Sequence, residues 1–396
     1  MRDEVADVVV IGGGVSGAAI ARELARRGVG VVVVERGEIA SGTTGSGGGG
    51  IILQTKRPGP HLTLGLRSAR LLREMAPELG ETGYAMHGAL VLLPHAEAAR
   101  TLEPFLATQR AAGLPVTVIS RADVLEHEPA LTGAYAGATY LPPMADGITD
   151  AHVDPTALAQ AYARAATAAG ATIRTGTAVT AICTTSGRVT SVVTDHGEIA
   201  CGVVVNAAGV WAPSVAAMVG LEVPITPRRG QWLRTIADGG PTVHRPILEA
   251  AYLLAKFDPA YGEQSPDPFL RMGGALTLMP RLDGGTFVGN SREFAGFDPT
   301  PDAAMTDAIL RHAAAFMPSL ASAPIATRGA GVRPSTPDGL PILGPVDGVD
   351  GFIMAAGHEG DGVALSAITG QLIADFIATG ARDDLAPFLL SRFVGK

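Results

Sequence analysis

The chain has 396 residues, of which 47% are hydrophobic and 17% charged, and a formal net charge of -8. This length suits about two globular domains, and the negative charge argues against nucleic acid as a partner, because phosphate binding requires a basic face. Since the sequence has no uninterrupted apolar run of about 18 residues, we predict no membrane span. Strand-like sequence begins almost at once, without a secretory signal, so we expect a cytoplasmic protein.

Cysteine and histidine usage limits the redox and metal centres. The two cysteines, Cys183 and Cys201, lie in strand-like sequence, where buried free thiols are the simplest interpretation. An iron–sulfur cluster takes about four ligands, so any such centre must belong to another subunit. The nine histidines are scattered without metal-ligand spacing, and we expect no metal site.

The N-terminal segment predicts a strand–helix–strand unit. Residues 6–11 and 30–35 are apolar runs typical of buried strands, and residues 15–27 have helical spacing. This order begins a Rossmann-type nucleotide-binding domain, so the predicted fold class is α/β.

The turn between the first strand and the helix, Gly12-Gly13-Gly14-Val15-Ser16-Gly17, fits G-x-G-x-x-G. Gly12 permits the tight turn, Gly14 allows the backbone to approach a pyrophosphate, and Gly17 lets the helix pack closely on the strand. The N–H groups at the helix start favour phosphate. The turn therefore predicts a dinucleotide site.

Glu35 ends the second strand, where a carboxylate can bond both ribose hydroxyls. An acid at this point also disfavours a 2′-phosphate, which argues against NADP. The fingerprint alone does not separate FAD from NAD.

The remaining pattern predicts a mixture of helices and strands. Helices are predicted at 62–78, 97–112, 156–169 and 362–377, the third begun by Asp154 and Pro155 as cap and first-turn residue. Strands are predicted at 172–184, 188–195, 198–205 and 351–355. A Gly- and Ser-rich loop at 41–50 follows the nucleotide unit directly, a position that suits a cofactor contact better than a linker.

Three further strings carry chemistry. Residues 203–212 form an apolar strand that ends in Asn206-Ala207-Ala208-Gly209, where small side chains allow packing against a flat group. Gly331-Val332-Arg333-Pro334 presents a guanidinium fork, which matches a carboxylate bidentately. Gly357-His358-Glu359-Gly360-Asp361-Gly362 precedes the last predicted helix.

With the N-terminal fingerprint and the loop Gly42-Thr43-Thr44, these strings resemble the D-amino-acid oxidase (DAO) superfamily over essentially the whole chain. The resemblance implies FAD as the cofactor. We expect it to be bound non-covalently, because covalent attachment would use a cysteine late in the chain and no cysteine follows Cys201. It implies cofactor contacts from Gly12, Gly14, Val15, Ser16, Gly17, Glu35, Arg36, Thr43, Thr44, Ser46, Gly49, Val179, Ala207, Gly209, Trp211, Gly331, His358, Glu359, Gly360, Asp361 and Gly362.

The resemblance also implies catalytic residues. In amino-acid-oxidising branches the arginine at the place of Arg333 holds the substrate carboxylate; the alternative is a structural ion pair. His358 either lines the active site or is a structural histidine. Arg228, Arg229 and Arg281 are interpreted as structural or surface residues.

Two domains are expected, a Rossmann-type FAD-binding domain interleaved with a substrate domain on a large mixed β-sheet. The FAD-binding domain would comprise residues 1–84, 146–222 and 326–396. The substrate domain would comprise residues 85–145 and 223–325. Substrate should lie between the flavin and that sheet.

The function implied is FAD-dependent oxidation of a small amine or amino acid by hydride transfer from the amine-bearing carbon to flavin N5, giving an imine. A dehydrogenase passing electrons to a partner is the preferred form. The alternatives are a direct oxidase that makes hydrogen peroxide, as glycine and sarcosine oxidases do, and a non-catalytic electron-relay subunit.

The last glycine string, with residues 289–294, is similar to flavin subunits such as those of opine oxidase, D-hydroxyproline dehydrogenase and hydrogen cyanide synthase. This implies an iron–sulfur or second flavin subunit as partner and an oligomeric enzyme. Thr277 stands near the place where several relatives have a substrate-contacting tyrosine, a departure from the family's pattern. Trp232, Tyr252 and Tyr261 are candidates for pocket walls or for packing.

Overall fold

A computed structural model describes residues 4–238, 242–255, 261–262 and 264–393, and within these ranges the side chain of Tyr252 is left aside. The helices are α1 Val15–Arg26, α2 Pro60–Leu79, α3 Ala96–Ala111, α4 Arg121–His127, α5 Pro155–Ala168, α6 Ala212–Ala217, α7 Ala251–Leu254, α8 Pro268–Arg271, α9 Ala303–Phe316 and α10 Ser366–Thr379. The strands are β1 Glu4–Ile11, β2 Val31–Val34, β3 Gly50–Ile51, β4 Leu90–Leu93, β5 Thr117–Ser120, β6 Gly137–Tyr140, β7 Ala151–His152, β8 Thr172–Arg174, β9 Val179–Thr185, β10 Arg188–Thr194, β11 Gly197–Asn206, β12 Thr226–Thr235, β13 Ile247–Glu249, β14 Thr277–Pro280, β15 Thr286–Gly289, β16 Ile325–Ser335, β17 Ile342–Pro345 and β18 Phe352–Ala356.

The first sheet has the order β17-β18-β11-β1-β2-β8, with β10 and β9 added beside β11. Strands β18, β11, β1, β2 and β8 run parallel, which brings the carboxyl ends of β1, β2 and β11 to one edge. Both faces of β1 are buried, because α1 packs against α5 and α10 on one side and the β9–β11 meander covers the other. The strand–helix–strand prediction and the α/β class are confirmed.

Two predicted boundaries were wrong. The strand predicted at 172–184 is two strands, because Gly176 takes a left-handed conformation (φ +62°) and turns the chain from β8, beside β2, to β9, beside β10. The helix predicted from residue 362 begins at Ser366. Helices predicted at 62–78, 97–112 and 156–169 are confirmed within two residues as α2, α3 and α5.

The second sheet has the order β16-β12-β15-β14-β13-β4-β6-β5. Its pairs are antiparallel except β13 with β4, so it is the large mixed sheet that the sequence predicts. Strand β16 lies in this sheet, although the sequence analysis assigns residues 326–396 to the FAD-binding domain. The domain boundaries themselves stay a prediction. In the described ranges, no helix is both long enough and apolar enough to cross a membrane.

Asp154 joins the first domain to the second sheet. Its Oδ1 accepts from the N–H groups of Thr156 and Ala157, 3.0 Å each, and so caps α5. Its Oδ2 lies 3.0 Å from the guanidinium of Arg281, at the end of β14, and both side chains are largely buried. Arg281 is therefore structural, as predicted.

Replacing Asp154 with Ala should lower the free energy of unfolding by about 3 kcal/mol, because the helix loses its cap and a buried guanidinium loses its partner. Asp154→Asn, which keeps an oxygen for the cap, should lose less. Urea denaturation followed by circular dichroism measures both. Equal losses in the two variants would show that the charge carries the whole effect, and no loss in either would contradict the role of Asp154.

Candidate cofactor and substrate site

A continuous cleft of about 1420 Å³ runs from the carboxyl ends of β1 and β2 to the second sheet. Pockets for drug-sized ligands occupy roughly 300–1,000 Å³, so this one has room for a larger molecule or for two ligands. Of the predicted site residues, all line the cleft except Gly17.

The glycine turn brings three backbone segments together. Gly12 has φ +112°, and a Cβ atom there would lie 2.6 Å from the carbonyl oxygen of Ala207. A Cβ atom on Gly17 would overlap the carbonyl of Gly12, so Gly17 serves helix packing behind the cleft. Gly14 caps α1, and the Val15 N–H donates to Thr44 Oγ1 at 3.1 Å.

Glu35 is fixed at the nucleotide end of the cleft. Its Oε2 accepts from the Gly13 N–H and its Oε1 from the Gly37 N–H, both at 2.7 Å. Each carboxylate oxygen has a second lone pair, so the group can still accept from ligand hydroxyls. Next to it, the guanidinium of Arg36 stacks 4.0 Å from the ring centre of Trp211.

The loop at 41–50 is tied to β16. Thr43 Oγ1 donates to the Val332 carbonyl at 2.6 Å. A Cβ atom on Gly331 would overlap the Ser46 side chain, and one on Gly49, which has φ +85°, would overlap the Val153 carbonyl. The loop therefore approaches other backbone too closely for side chains, which a flexible linker would not do.

The turn after β11 forms the opposite wall. Asn206 is buried, and its Nδ2 donates to the Ala212 carbonyl at 2.9 Å while its Oδ1 accepts from the Ala208 N–H. These bonds fold the small residues Ala207 and Gly209 against the cleft, which Val179 also lines. A wall of small residues fits a flat ligand.

Arg333 extends from β16 into the cleft beside the second sheet, where its Nη1 donates to the Ser291 carbonyl at 3.2 Å. In the strand register Arg333 lies opposite Arg228, an unfavourable pair of like charges. Two features relieve it. Arg333 lies across Gly230, where a Cβ atom would overlap the guanidinium, and Arg228 binds Glu359 at 3.2 Å.

The interpretation of Arg228 as structural or surface was therefore incomplete: it is partly buried, lines the cleft and holds Glu359. Arg229 does bind Glu293 and Asp298, as a structural residue would. Sequence reasoning missed Gly230 entirely. The available signal was a glycine inside an otherwise side-chain-rich strand, which often marks a close approach.

His358 is buried beside the cleft, with Nε2 3.0 Å from Thr369 Oγ1. Burial lowers the pKa of the imidazole to about 4, so the ring is neutral at ordinary pH. Thr277 also lines the cleft, and its hydroxyl accepts from Asn290 Nδ2 at 3.3 Å.

Asp361 binds Lys56 and His61, two partners that were not predicted from the sequence. Its Oδ1 lies 2.6 Å from Lys56 Nζ and its Oδ2 lies 2.8 Å from His61 Nε2. Burial alone would raise the pKa of this carboxyl, but Lys56 and His61 hold it well below its usual range. The Leu365 N–H donates to the Asp361 carbonyl at 2.9 Å, so the chain makes a turn over residues 361–365 before α10 begins at Ser366.

Trp232 and Tyr261, candidates for pocket walls or for packing, do not line the cleft. Trp232 packs on Phe287 and beneath Arg234, and Tyr261 stacks on His95. The side chain of Tyr252 lies outside the described residues. So does part of the segment 258–268, which the sequence predicts to be a loop. Within those residues, no group of three or more His, Cys, Asp or Glu could hold a metal ion.

Comparison with known proteins identifies the cofactor. The model of the DAO family, described as FAD dependent oxidoreductase, matches residues 7–376. The chain belongs to this family. It is 33% identical to glycine oxidase of Geobacillus kaustophilus, with 98% of each chain covered, and 28% identical to hydrogen cyanide synthase subunit HcnC of Pseudomonas aeruginosa, with 98% and 96% covered.

Solved structures agree. L-proline dehydrogenase from P. horikoshii superposes with a TM-score of 0.86 at 27% identity, covering 99% of this chain and 98% of that one. Glycine oxidase from Geobacillus kaustophilus gives 0.85 at 31%, covering 99% and 100%. The DAO-family chain is thus a FAD-dependent oxidoreductase, and the predictions of family and cofactor are confirmed.

The cleft fits FAD on three observations of this structure. The glycine turn exposes backbone at a helix start, Glu35 faces the cleft with acceptor capacity left, and small residues, Ala207, Ala208 and Gly209, line the opposite wall. We therefore assign Glu35 to the ribose and the loop 357–362 to the flavin end, as proposals.

Glu35→Ala should raise the dissociation constant of FAD about 10- to 100-fold, because it removes hydrogen bonds to a charged acceptor and frees the turn at Gly13. Titration of apoprotein with FAD, followed by flavin fluorescence, measures the change. Glu38→Ala is the matched control, since Glu38 is exposed in the same segment. Equal affinity in both variants would refute the assignment of Glu35.

Proposed function

We propose that this enzyme oxidises a small amine or amino acid whose carboxylate is held by Arg333. FAD bound in this cleft would supply the redox chemistry as a two-electron hydride acceptor; a neutral amine that gives up hydride from its amine-bearing carbon becomes an iminium, which yields the imine when it releases a proton to water. The observation that carries the proposal is the guanidinium of Arg333, fixed across Gly230 in the cleft that fits FAD.

Arg333 would act by position. A guanidinium binds a carboxylate through two parallel N–H bonds, which fixes the direction in which the rest of the substrate points. The Ser291 carbonyl holds one end of the fork, so little conformational freedom remains to be lost on binding. The amine-bearing carbon, one bond from the carboxylate in an α-amino acid, is thereby placed at a defined distance from the anchor.

His358 would shape the wall without contributing charge. Its imidazole is neutral because burial opposes protonation, and its Nε2 is engaged with Thr369. A neutral wall favours the neutral form of an amine, which is the form that can release hydride. The names of the relatives, glycine oxidase and L-proline dehydrogenase, support a substrate with adjacent amine and carboxylate groups.

The electron acceptor divides the relatives. We propose a dehydrogenase that passes electrons to a partner subunit, supported by the likeness to a hydrogen cyanide synthase subunit. The likeness to glycine oxidases supports the alternative, reaction with oxygen. Hydrogen peroxide released at the rate of substrate turnover would establish the oxidase and exclude the partner.

Anaerobic mixing of the purified holoenzyme with glycine, sarcosine, proline, D-alanine and an opine tests the function directly. We expect one of these compounds to bleach the oxidised flavin band. Bleaching establishes that this chain performs the chemistry itself. An unchanged spectrum with all five, while dithionite still bleaches the band, would contradict the proposal and favour an electron-relay subunit.

Two substitutions test the anchor. Arg333→Lys should lower kcat/KM about 10- to 100-fold, mainly through KM, because a point charge replaces a bidentate fork. Gly230→Ala should act in the same direction by displacing the guanidinium. Gly202→Ala is the control, since a Cβ atom on this strand glycine meets nothing within 4 Å. Wild-type KM in both test variants would refute the anchor.

A further inference from the structure

Lys56 is a buried cation outside the anchor and the glycine turn. Its side chain is 1% exposed, and its stem crosses α2 at Gly65, where a Cβ atom would lie 2.7 Å from Lys56 Cδ. Removing an ammonium from water is costly unless an anion compensates, and Asp361 is that anion. The pair joins positions 305 residues apart in the chain.

The short loop 357–362 connects the Lys56–Asp361 pair to the cleft. Asp361 lines the cleft, and Lys56 lies behind it. The Asp361 N–H donates to the His358 carbonyl, and the Asp361 carbonyl accepts from the Leu365 N–H, both at 2.9 Å. A Cβ atom on the neighbouring Gly360 would lie 3.9 Å from Arg333. Asp361 is thus held in this loop by its main-chain bonds, and its carboxylate ties the loop beside the proposed substrate anchor to Lys56.

The charges have a direct consequence for a redox group bound here. Reduction places negative charge on flavin, and an unpaired carboxylate in the same cleft would oppose it. The ammonium of Lys56 neutralises that carboxylate at 2.6 Å. Lys56 is 1% exposed while Asp361 is 32% exposed toward the cleft, so solvent and salt screen the ammonium weakly and the carboxylate more strongly.

We propose that Lys56 is a positioning residue of the redox site: it fixes the loop 357–362 through Asp361 and raises the reduction potential of bound FAD. The inference rests on the proposed placement of that loop at the flavin end of the cleft. It deepens the proposed function by assigning control of the flavin reduction potential to the Lys56–Asp361 ion pair. Asp361 lines the cleft, whereas Lys56 lies behind its wall.

Lys56→Met keeps the length of the stem and removes the charge. The midpoint potential of FAD in this holoenzyme should fall by about 30 mV, a tenfold change for a two-electron couple. Lys56→Met/Asp361→Asn removes both charges and should recover at least half of the fall. The potential is measured by equilibration with a reference dye, which needs no substrate. Failure of the amine assay therefore leaves this test intact.

Arg67→Met is the matched control, because Arg67 lies on α2, the helix that the Lys56 stem crosses, and binds Asp384 in an exposed pair at 2.8 Å. The midpoint potential of FAD in Arg67→Met should equal that in the wild type. Asp361→Asn alone should raise the potential, which keeps the test decisive if Lys56→Met does not fold.

An unchanged potential in Lys56→Met with FAD bound would overturn the proposal. So would a double variant as low as the single one, since a purely structural role predicts no recovery. An Asp361→Asn potential at or below that of the wild type would overturn it as well.

Discussion

The fold depends on how closely three backbone segments approach one another at the carboxyl end of β1. The carbonyl of Ala207 lies where a side chain at Gly12 would stand, and the carbonyl of Gly12 lies where a side chain at Gly17 would stand. Any larger residue would separate α1 from β1 or β11 from the turn. The cleft therefore has its nucleotide end only because the residues at these contacts have no side chain.

The second sheet completes the site through a few directed contacts. Thr43 holds loop 41–50 to β16. From β12, the guanidinium of Arg234 donates to the carbonyl of Gly45, in the same loop, at 2.9 Å. These bonds join loop 41–50 to the strands that carry Arg333. A displacement of the second sheet would therefore move loop 41–50 and Arg333 together, so the proposed cofactor contacts and the proposed substrate anchor share one rigid frame.

The sequence predicts the glycine turn and Glu35 well and the contacts between distant segments poorly, for a physical reason. The glycine turn and Glu35 are local, since one strand, one turn and one helix determine their positions. The space at Gly230 exists only in the register that places β12 beside β16, and Lys56 meets Asp361 across 305 residues. Neither pairing leaves a local pattern. Gly176 illustrates the same limit. The sequence pattern predicts one strand over residues 172–184 and does not show that the chain turns at this glycine.

The charges along the cleft follow from these long-range pairings. Four acidic side chains line it in the described part of the chain, and each is bound by donors: Glu35 by two backbone N–H groups, Glu359 by Arg228, Asp361 by Lys56 and Asp338 by Arg392. Three of the four are thus neutralised by a cation, and the fourth faces the ribose in the proposed arrangement. FAD has a pyrophosphate, and a substrate with a carboxylate, as proposed, would bring further negative charge into the same cleft. Pairing three of the four acids with cations lowers the negative charge of the cleft wall that these anionic groups would meet.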